Sequence, residues 1–349
     1  MKKMTILAGM MLLASMALAQ GLKSITLEDI WQDGTFSMSG IGSIRSMKDG
    51  EHYCILTRNG VEQYSYATGE KIKDVCLFGA PTQKPGDGRI AGKARPLPPM
   101  ESYAFDQDEK QLLFSAGFEP IYRHSGVSDY YVYDIASGEM KKITQGGKVR
   151  LATFAPNGKS VAYVRDNDLY LYDIASDQET RITADGKANA IINGTTDWVY
   201  EEEFAITQGF LFSPDSRKIA FLRFDESKVR EYSMQIWGNL YPEEYKYKYP
   251  KAGEANSVVD LLIYDIASGK TLQLDEGSQN DQYIPRFQWT QHPGQLCFMR
   301  MNRLQNHLEL VLVDAATGAM HTLYAEDDKA YVEVPETWVF LKDGKQMLI

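Results

Sequence analysis

Hydrophobic and polar residues alternate with a period of two along most of this chain. The alternation is clearest at residues 159–164 and 168–172, where runs rich in Val, Leu and Tyr are bounded by polar residues. A period of two is typical of β-strands, because successive side chains of a strand point to opposite faces of the sheet. Long stretches with the spacing of an amphipathic helix are absent from the sequence. The pattern therefore predicts an all-β protein built from many short strands.

Two kinds of turn marker recur between the predicted strands. The first is an aromatic or apolar residue followed by a polar turn and a new apolar run, and it occurs at residues 47–50, 105–108, 154–158, 212–215, 289–294 and 340–344. The second ends a Tyr- or Val-rich run with Ala, a small hydroxyl residue and a turn former, and it occurs at residues 66–69, 134–138, 173–177, 265–269 and 314–318. Gly or Asp at the end of the second marker suits the positive φ that tight hairpins require.

The recurring markers favour a β-propeller of four-stranded blades, in which each sheet buries both faces against its neighbours. A two-sheet sandwich has a similar density of strands, but its turns need not repeat one set of residues. The marker at 340–344 opens a further unit, and the sequence stops at Ile349. Because the blades of a propeller close on one another, we expect residues 20–349 to be an incomplete, C-terminally truncated propeller, cut inside the first strand of its last blade.

The beginning of the chain has a composition of its own. Lys2 and Lys3 precede an apolar run over residues 6–16, and residues 17–19 read Ala-Leu-Ala. This order is typical of a secretory signal peptide. The alternatives are a buried helix or a membrane anchor, but the run is shorter than the roughly 20 residues that a span needs. We predict a signal peptide at 1–19, an exported protein that is periplasmic or secreted, and no membrane span.

Charge and cysteine content narrow the choice of partners. The sequence has 37 Lys and Arg against 47 Asp and Glu, a formal charge of −10, which repels nucleic-acid phosphates. Cys54, Cys76 and Cys297 are odd in number and widely spaced, so they predict neither a disulfide framework nor a metal site. We expect the three cysteines to be buried residues of strands. A disulfide bridge between Cys54 and Cys76 is the alternative. The sequence predicts no nucleic-acid partner, no metal and no cofactor.

One segment, residues 195–204, interrupts the strand pattern and predicts a short helix with three consecutive glutamates at 201–203. Thr196 or Asp197 can cap this helix, and acidic residues in its first turn are favoured by the helix dipole. Such a triplet by itself is typical of a solvated helix start. The flanking aromatic residues, however, would hold the carboxylates near an apolar wall. Closely spaced carboxylates repel each other and favour a bound cation, for example a protonated amine.

A second candidate is Arg123, in the Tyr-Arg-His-Ser segment at 122–125. We expect a long loop there, between a strand that ends near Gly117 and one that starts near Asp129. An arginine in a loop is usually an exposed surface residue. The alternative is a planar guanidinium directed at a carbonyl or carboxylate group.

Residues 197–203, Asp-Trp-Val-Tyr-Glu-Glu-Glu, resemble almost residue for residue the double-glutamate motif of the dipeptidyl peptidase IV branch of the prolyl oligopeptidase family. Segments 123–125 and 249–253 are similar to two more segments of that family's N-terminal propeller, in the same order. The resemblance covers about residues 24–349. It implies an eight-bladed propeller that caps a C-terminal α/β-hydrolase domain, and the removal of dipeptides from peptides with Pro or Ala in the second position.

The resemblance also implies roles for individual residues. The two amine-binding carboxylates of the family fall on Glu202 and Glu203, and its carbonyl-binding arginine falls on Arg123. Peptides with a free N-terminus are the implied substrates. The G-x-S-x-G nucleophile motif is absent from the sequence, so we expect no catalytic residue in this chain, a missing α/β-hydrolase domain and no activity of the chain alone. The alternative function is a non-catalytic propeller that binds protein or peptide partners.

Residues 231–253 form an insertion in which Tyr and Lys alternate. Such a segment could bind single-stranded nucleic acid, but the acidic net charge argues against it. By resemblance, this region is similar to a propeller arm that pairs subunits, which implies a homodimer, and Tyr-rich surfaces are common at interfaces. A long hairpin exposed to solvent is the alternative.

Overall fold

The computed structural model describes residues 24–38, 40, 44–77, 98–275, 277, 281–342, 344 and 346–349. The predicted signal peptide at 1–19 lies outside the described residues. The chain divides into two compact units, Met1–Arg45 and Ser46–Ile349.

Helices are few and short in the part of the chain that the structure describes. In the first unit, α1 (Leu27–Trp31) begins with a capping box, in which the Thr26 hydroxyl accepts the Asp29 N–H at 3.2 Å and the Asp29 carboxylate accepts the Thr26 N–H at 3.1 Å. The second unit contains α2 (Trp198–Glu203). Within the described ranges, no helix has both the length and the apolar composition needed to cross a bilayer.

The second unit consists of antiparallel sheets that follow one another along the chain. The strand β1 (Ile44–Ser46) precedes them in the chain and ends at the first residue of this unit. The first sheet contains β2 (His52–Thr57), β3 (Gly60–Ser65) and β4 (Lys71–Leu77). The second contains β5 (Ser102–Phe105), β6 (Gln111–Pro120), β7 (Gly126–Asp134) and β8 (Met140–Lys142). The third contains β9 (Arg150–Phe154), β10 (Ser160–Arg165), β11 (Asp168–Asp173) and β12 (Gln178–Arg181).

The later sheets carry additional strands. The fourth contains β13 (Ile191–Asn193), β14 (Phe210–Phe212), β15 (Lys218–Asp225), β18 (Val258–Asp265) and β19 (Lys270–Gln273). A separate hairpin, β16 (Glu231–Ile236) and β17 (Glu243–Lys248), is inserted between β15 and β18. The fifth sheet contains β20 (Gln282–Tyr283), β21 (Phe287–Trp289), β22 (Gln295–Asn302), β23 (His307–Asp314) and β24 (Met320–Asp327). Two short strands, β25 (Val339–Phe340) and β26 (Met347–Leu348), pair with each other at the end.

The turn markers of the sequence have fixed places in these sheets. In the five sheets, the first marker is the turn that precedes the first long strand, as at 154–158 between β9 and β10 or at 212–215 between β14 and β15. The second marker joins the last two strands, as at 173–177 between β11 and β12. The four-stranded repeat is therefore confirmed. One detail was wrong: the marker at 340–344 lies between the paired strands β25 and β26, so the last unit holds two strands and is not cut inside its first.

Both faces of the central sheets are buried, which explains the apolar character of their strands. In β15, Ile219 and Phe221 pack with residues of the third sheet, whereas Ala220 and Leu222 between them pack with residues of the fifth. Strand β15 pairs with β18 in continuous register from Lys218 opposite Asp265 to Asp225 opposite Val258. Burying one Leu or Phe side chain stabilises the fold by roughly 1.5–3 kcal/mol. Sheets stacked in this way are propeller blades; the strands of a two-sheet sandwich bury one face only.

The three cysteines belong to this core. Cys54, Cys76 and Cys297 are buried and free of disulfide bonds, so the open alternative of a Cys54–Cys76 bridge is not realised. Burial raises the pKa of the Cys54 and Cys76 thiols to about 11 and that of Cys297 to about 12. The thiols act as small hydrophobic side chains, as predicted.

Candidate functional site

The site is built on α2, which connects β13 to β14 of the fourth sheet. Asp197 is the N-cap, and one of its carboxylate oxygens accepts the Tyr200 N–H at 3.0 Å. The Ser257 hydroxyl donates to the other oxygen at 2.6 Å. Burial raises the pKa of Asp197. The predicted short helix and its Asp197 cap are confirmed.

Aromatic side chains anchor α2 from both sides. Tyr200 is buried in the core between the fourth and fifth sheets, and its hydroxyl accepts the Ile284 N–H at 2.8 Å. The same burial raises the pKa of Tyr200 well above its usual value. Trp198 packs against Tyr249, with 4.2 Å between the ring centroids. These contacts leave the helix little freedom to rotate, so the directions of its three glutamates are fixed.

The three consecutive glutamates lie in three different environments. Glu201 is completely buried, and its Oε1 accepts the His124 N–H at 2.9 Å. The side chain of Glu202 is 14% exposed and forms an ion pair with Arg123, whose Nη1 lies 3.4 Å from Oε2. Glu203 is exposed and lines a cavity. The solvent exposure that is typical of a helix start is therefore found at Glu203, but not at Glu201 or Glu202.

Arg123 lies at the tip of the hairpin formed by β6 and β7. The expected long loop is shorter than predicted, because β6 continues to Pro120 past an irregularity between Ala116 and Glu119, and β7 begins at Gly126. Irregular pairing of this kind re-aims the end of a strand. The tip is closed by a bond from the Ile121 N–H to the Ser125 carbonyl at 2.8 Å. Arg123 is 72% exposed, and its partner is Glu202.

A cavity of about 610 Å³ adjoins Glu203. Glu333 and Glu336 also line it, together with Tyr331 and Arg286. The Arg286 guanidinium is held at the wall, because its Nη1 donates to the Phe204 carbonyl at 2.8 Å and to the Pro285 carbonyl at 2.7 Å. Burial lowers the pKa of Arg286. The cavity thus presents several carboxylates and one arginine that is bonded to the backbone.

Sequence reasoning missed two buried charged residues close to this site. Arg150 begins β9 and is buried; its alternating strand context resembles that of any polar strand position. Glu226 directly follows β15, as a turn residue would, yet it is buried, and burial together with the neighbouring Asp197 raises its pKa to about 7. Nothing in the local sequence separates these residues from surface charges. In the part of the chain that the structure describes, no group of three or more His, Cys, Asp and Glu side chains is arranged to hold a metal ion.

Residues 106–349 match the family described as the dipeptidyl peptidase IV N-terminal region, and the chain belongs to that family. The family resemblance read from residues 197–203 is therefore confirmed. The chain is 30% identical to a probable dipeptidyl-aminopeptidase B of Pyrenophora teres f. teres, over 91% of this chain and 38% of that protein. It is 33% identical to the venom dipeptidyl peptidase 4 of Vespa velutina, over 69% of this chain and 33% of that protein.

Two solved structures have a similar fold. The crystal structure of Porphyromonas gingivalis dipeptidyl peptidase 4 is similar with a TM-score of 0.79 and 36% identity, over 89% of this chain and 43% of that one. A structure of a putative dipeptidyl aminopeptidase IV from Bacteroides ovatus, 24% identical with a TM-score of 0.67, supports the fold. The chain spans about two fifths of the length of these relatives.

Proposed function

We propose that this chain is the substrate-recognition part of an exported serine dipeptidyl peptidase that removes X-Pro or X-Ala dipeptides from peptide N-termini. The supporting observation is the ion pair between Arg123 and Glu202, with Glu203 as the next residue of the same helix. An N-terminal ammonium and the first carbonyl of a peptide are close neighbours of opposite polarity. The adjacent carboxylates and guanidinium offer complementary groups at comparable spacing.

In the proposed complex, Glu202 and Glu203 accept charge-assisted hydrogen bonds from the substrate ammonium. Arg123 neutralises Glu202 in the free protein, and the guanidinium donates to the substrate carbonyl once the ammonium has taken its place. A peptide with an acylated N-terminus supplies no positive charge, so its binding would desolvate the carboxylates without compensation. Recognition of the amine thereby fixes how many residues separate the N-terminus from the cleaved bond.

Hydrolysis needs a nucleophile, a base and an oxyanion site, and the sequence of 349 residues lacks the G-x-S-x-G motif that would supply the nucleophile. We place these groups in the region of the longer relatives that this chain does not match. The propeller would then have two tasks. It binds the amine, and it restricts access to the hydrolytic residues.

The test compares two reporter substrates in the complete protein, Ala-Pro-p-nitroanilide and its N-acetylated form. We expect cleavage of the free-amine substrate with kcat/KM at least about 100-fold higher, because the acetylated form loses a desolvated charge pair. Residues 20–349 alone should cleave neither reporter. Equal cleavage of the two would contradict amine recognition. Binding of peptides without any cleavage by the complete protein would favour the alternative, a non-catalytic propeller.

We further propose that the hairpin of β16 and β17 pairs two copies of the complete protein. Its connecting segment exposes large apolar side chains, with Trp237 69%, Leu240 87% and Tyr241 79% exposed. Contiguous exposed apolar groups of this kind are common at interaction sites. Light scattering at micromolar concentration should give a dimer, and Leu240→Ser combined with Trp237→Ser should give a monomer. A wild-type monomer would contradict the proposal.

Export is proposed from the pattern of the first residues, with Lys2 and Lys3 before the apolar run at 6–16. N-terminal sequencing of protein recovered outside the cytoplasm should begin at Gln20. Recovery of protein that starts at Met1 would contradict removal of a signal peptide.

A further inference from the structure

Glu201 joins two elements that are distant in sequence. It is the first glutamate of the triplet on α2, and it accepts a hydrogen bond from the backbone of His124, 77 residues away. His124 follows Arg123 at the tip of the β6–β7 hairpin. One buried carboxylate on the helix therefore holds the backbone next to Arg123. The adjacent residue of the helix, Glu202, is the ion-pair partner of Arg123.

The charge of Glu201 has a buried and positively charged neighbour, Arg150. Oε2 of Glu201 is buried without a hydrogen-bond partner, as are Nε and Nη2 of Arg150. Burial lowers the pKa of Arg150, and the charge of Glu201 is the largest influence that raises it, ahead of Tyr122 and Tyr245. An ionised carboxylate without a nearby cation would be costly in this position. Arg150 and Glu201 interact through their opposite charges and not through a hydrogen bond.

We infer that Glu201 is a positioning residue, which fixes the hairpin carrying Arg123 against the helix carrying Glu202 and Glu203. The nearby positive charge of Arg150 stabilises the buried carboxylate of Glu201. This inference rests on the proposed function. Glu201 itself does not touch the substrate. Its hydrogen bond sets the separation between the guanidinium and the carboxylates, and a small misplacement of such groups weakens their contacts with the bound substrate.

Glutamine is a poor replacement for Glu201 although it has the same size. If its amide N–H2 faces the His124 N–H, a donor meets a donor; if its oxygen keeps that N–H, the N–H2 takes the place of the buried Oε2, which has no hydrogen-bond partner. The substitution also removes the negative charge that interacts with the buried Arg150. Glu201→Gln should therefore loosen the hairpin tip while the helix keeps its shape.

The experiment is a double-mutant cycle in the complete protein with Ala-Pro-p-nitroanilide. Glu201→Gln should raise KM on the order of tenfold with kcat within about twofold, because the contact it positions is made with the bound substrate. Glu201→Gln added to Arg123→Ala should cause no further loss, because the positioned group is already gone. Equal losses from Glu201→Gln in the two backgrounds would overturn the inference.

Two controls separate positioning from general destabilisation. Asp168→Asn alters another buried carboxylate, bound to Arg181 and to the Gly186 N–H in the third sheet, and should lower the melting temperature without changing KM. Arg150→Met removes the compensating charge and should reproduce the rise in KM; it replaces Glu201→Gln in the cycle if that variant does not fold. Unchanged kinetics of Arg123→Ala would instead contradict the proposed role of Arg123, and the positioning inference would fall with it.

Discussion

The charges of Glu202 and Glu203 can be removed one at a time, with size and hydrogen-bonding capacity retained, in the variants Glu202→Gln and Glu203→Gln. The two side chains differ in burial, since Glu202 is 14% exposed and Glu203 lies open at the cavity. The loss of activity should follow this difference. Both variants are to be measured in the complete protein, since the chain alone is predicted to be inactive.

The magnitude follows from Coulomb's law. An ammonium about 4 Å from a carboxylate gains about 4 kcal/mol at the effective dielectric constant of a protein surface, and about 1 kcal/mol in bulk water. The existing pair with Arg123 offsets little of this, because Arg123 is 72% exposed and exposed ion pairs contribute about 0–1 kcal/mol. Glu202→Gln should lower kcat/KM by about 30- to 1000-fold, and Glu203→Gln by at least about fivefold.

The assay is the initial rate of Ala-Pro-p-nitroanilide cleavage over a range of substrate concentrations. Glu51→Gln changes an exposed carboxylate in the turn that precedes β2; it serves as the control for removal of a surface charge and should leave kcat/KM unchanged. If both Glu202→Gln and Glu203→Gln stay within about twofold of the wild type, the triplet does not bind the amine. A larger loss for Glu203→Gln than for Glu202→Gln would refute the argument from burial.

Three further predictions concern other residues of the chain. Arg123→Lys should lower kcat/KM about tenfold or more, because an ammonium cannot reproduce the planar guanidinium; activity equal to that of the wild type in the same assay would exclude a bidentate contact. Glu226→Gln should raise the melting temperature at pH 8 and leave it unchanged at pH 4.5. The pKa of Glu226 rises from 4.5 to about 7 on folding. Ionisation of the buried carboxyl group therefore lowers the free energy of unfolding by about 3 kcal/mol, and this loss grows between pH 4.5 and pH 7 and persists at higher pH. A stabilisation that is independent of pH would contradict this reasoning. The buried thiols Cys54, Cys76 and Cys297 should react with a thiol reagent only after unfolding, and rapid labelling of the native protein would show that they are accessible.

The repeat and its turns were predictable from the sequence because they depend on local rules. Alternation with a period of two reports which side chains share a face, and the turn markers report where the chain reverses. The structure contains the predicted strands and turns, with turns at 154–158 and 173–177. The local sequence does not distinguish a propeller from a sandwich in the same way. The distinction depends on whether Ile219 and Ala220 face two different sheets, and only the packing shows this.

Some features of the site could likewise be predicted from the sequence, and others could not. The helix, its Asp197 cap and the three glutamates could be identified from the sequence, because capping and helix length are decided within a few residues. Their environments could not. Glu201, Glu202 and Glu203 are identical residues side by side, yet one is buried against the His124 backbone, one is paired with Arg123 and one lines a cavity. These differences come from the tip of the second sheet, 77 residues away from α2 in the sequence, and from residues 286–336 around the cavity, and no local pattern carries that information.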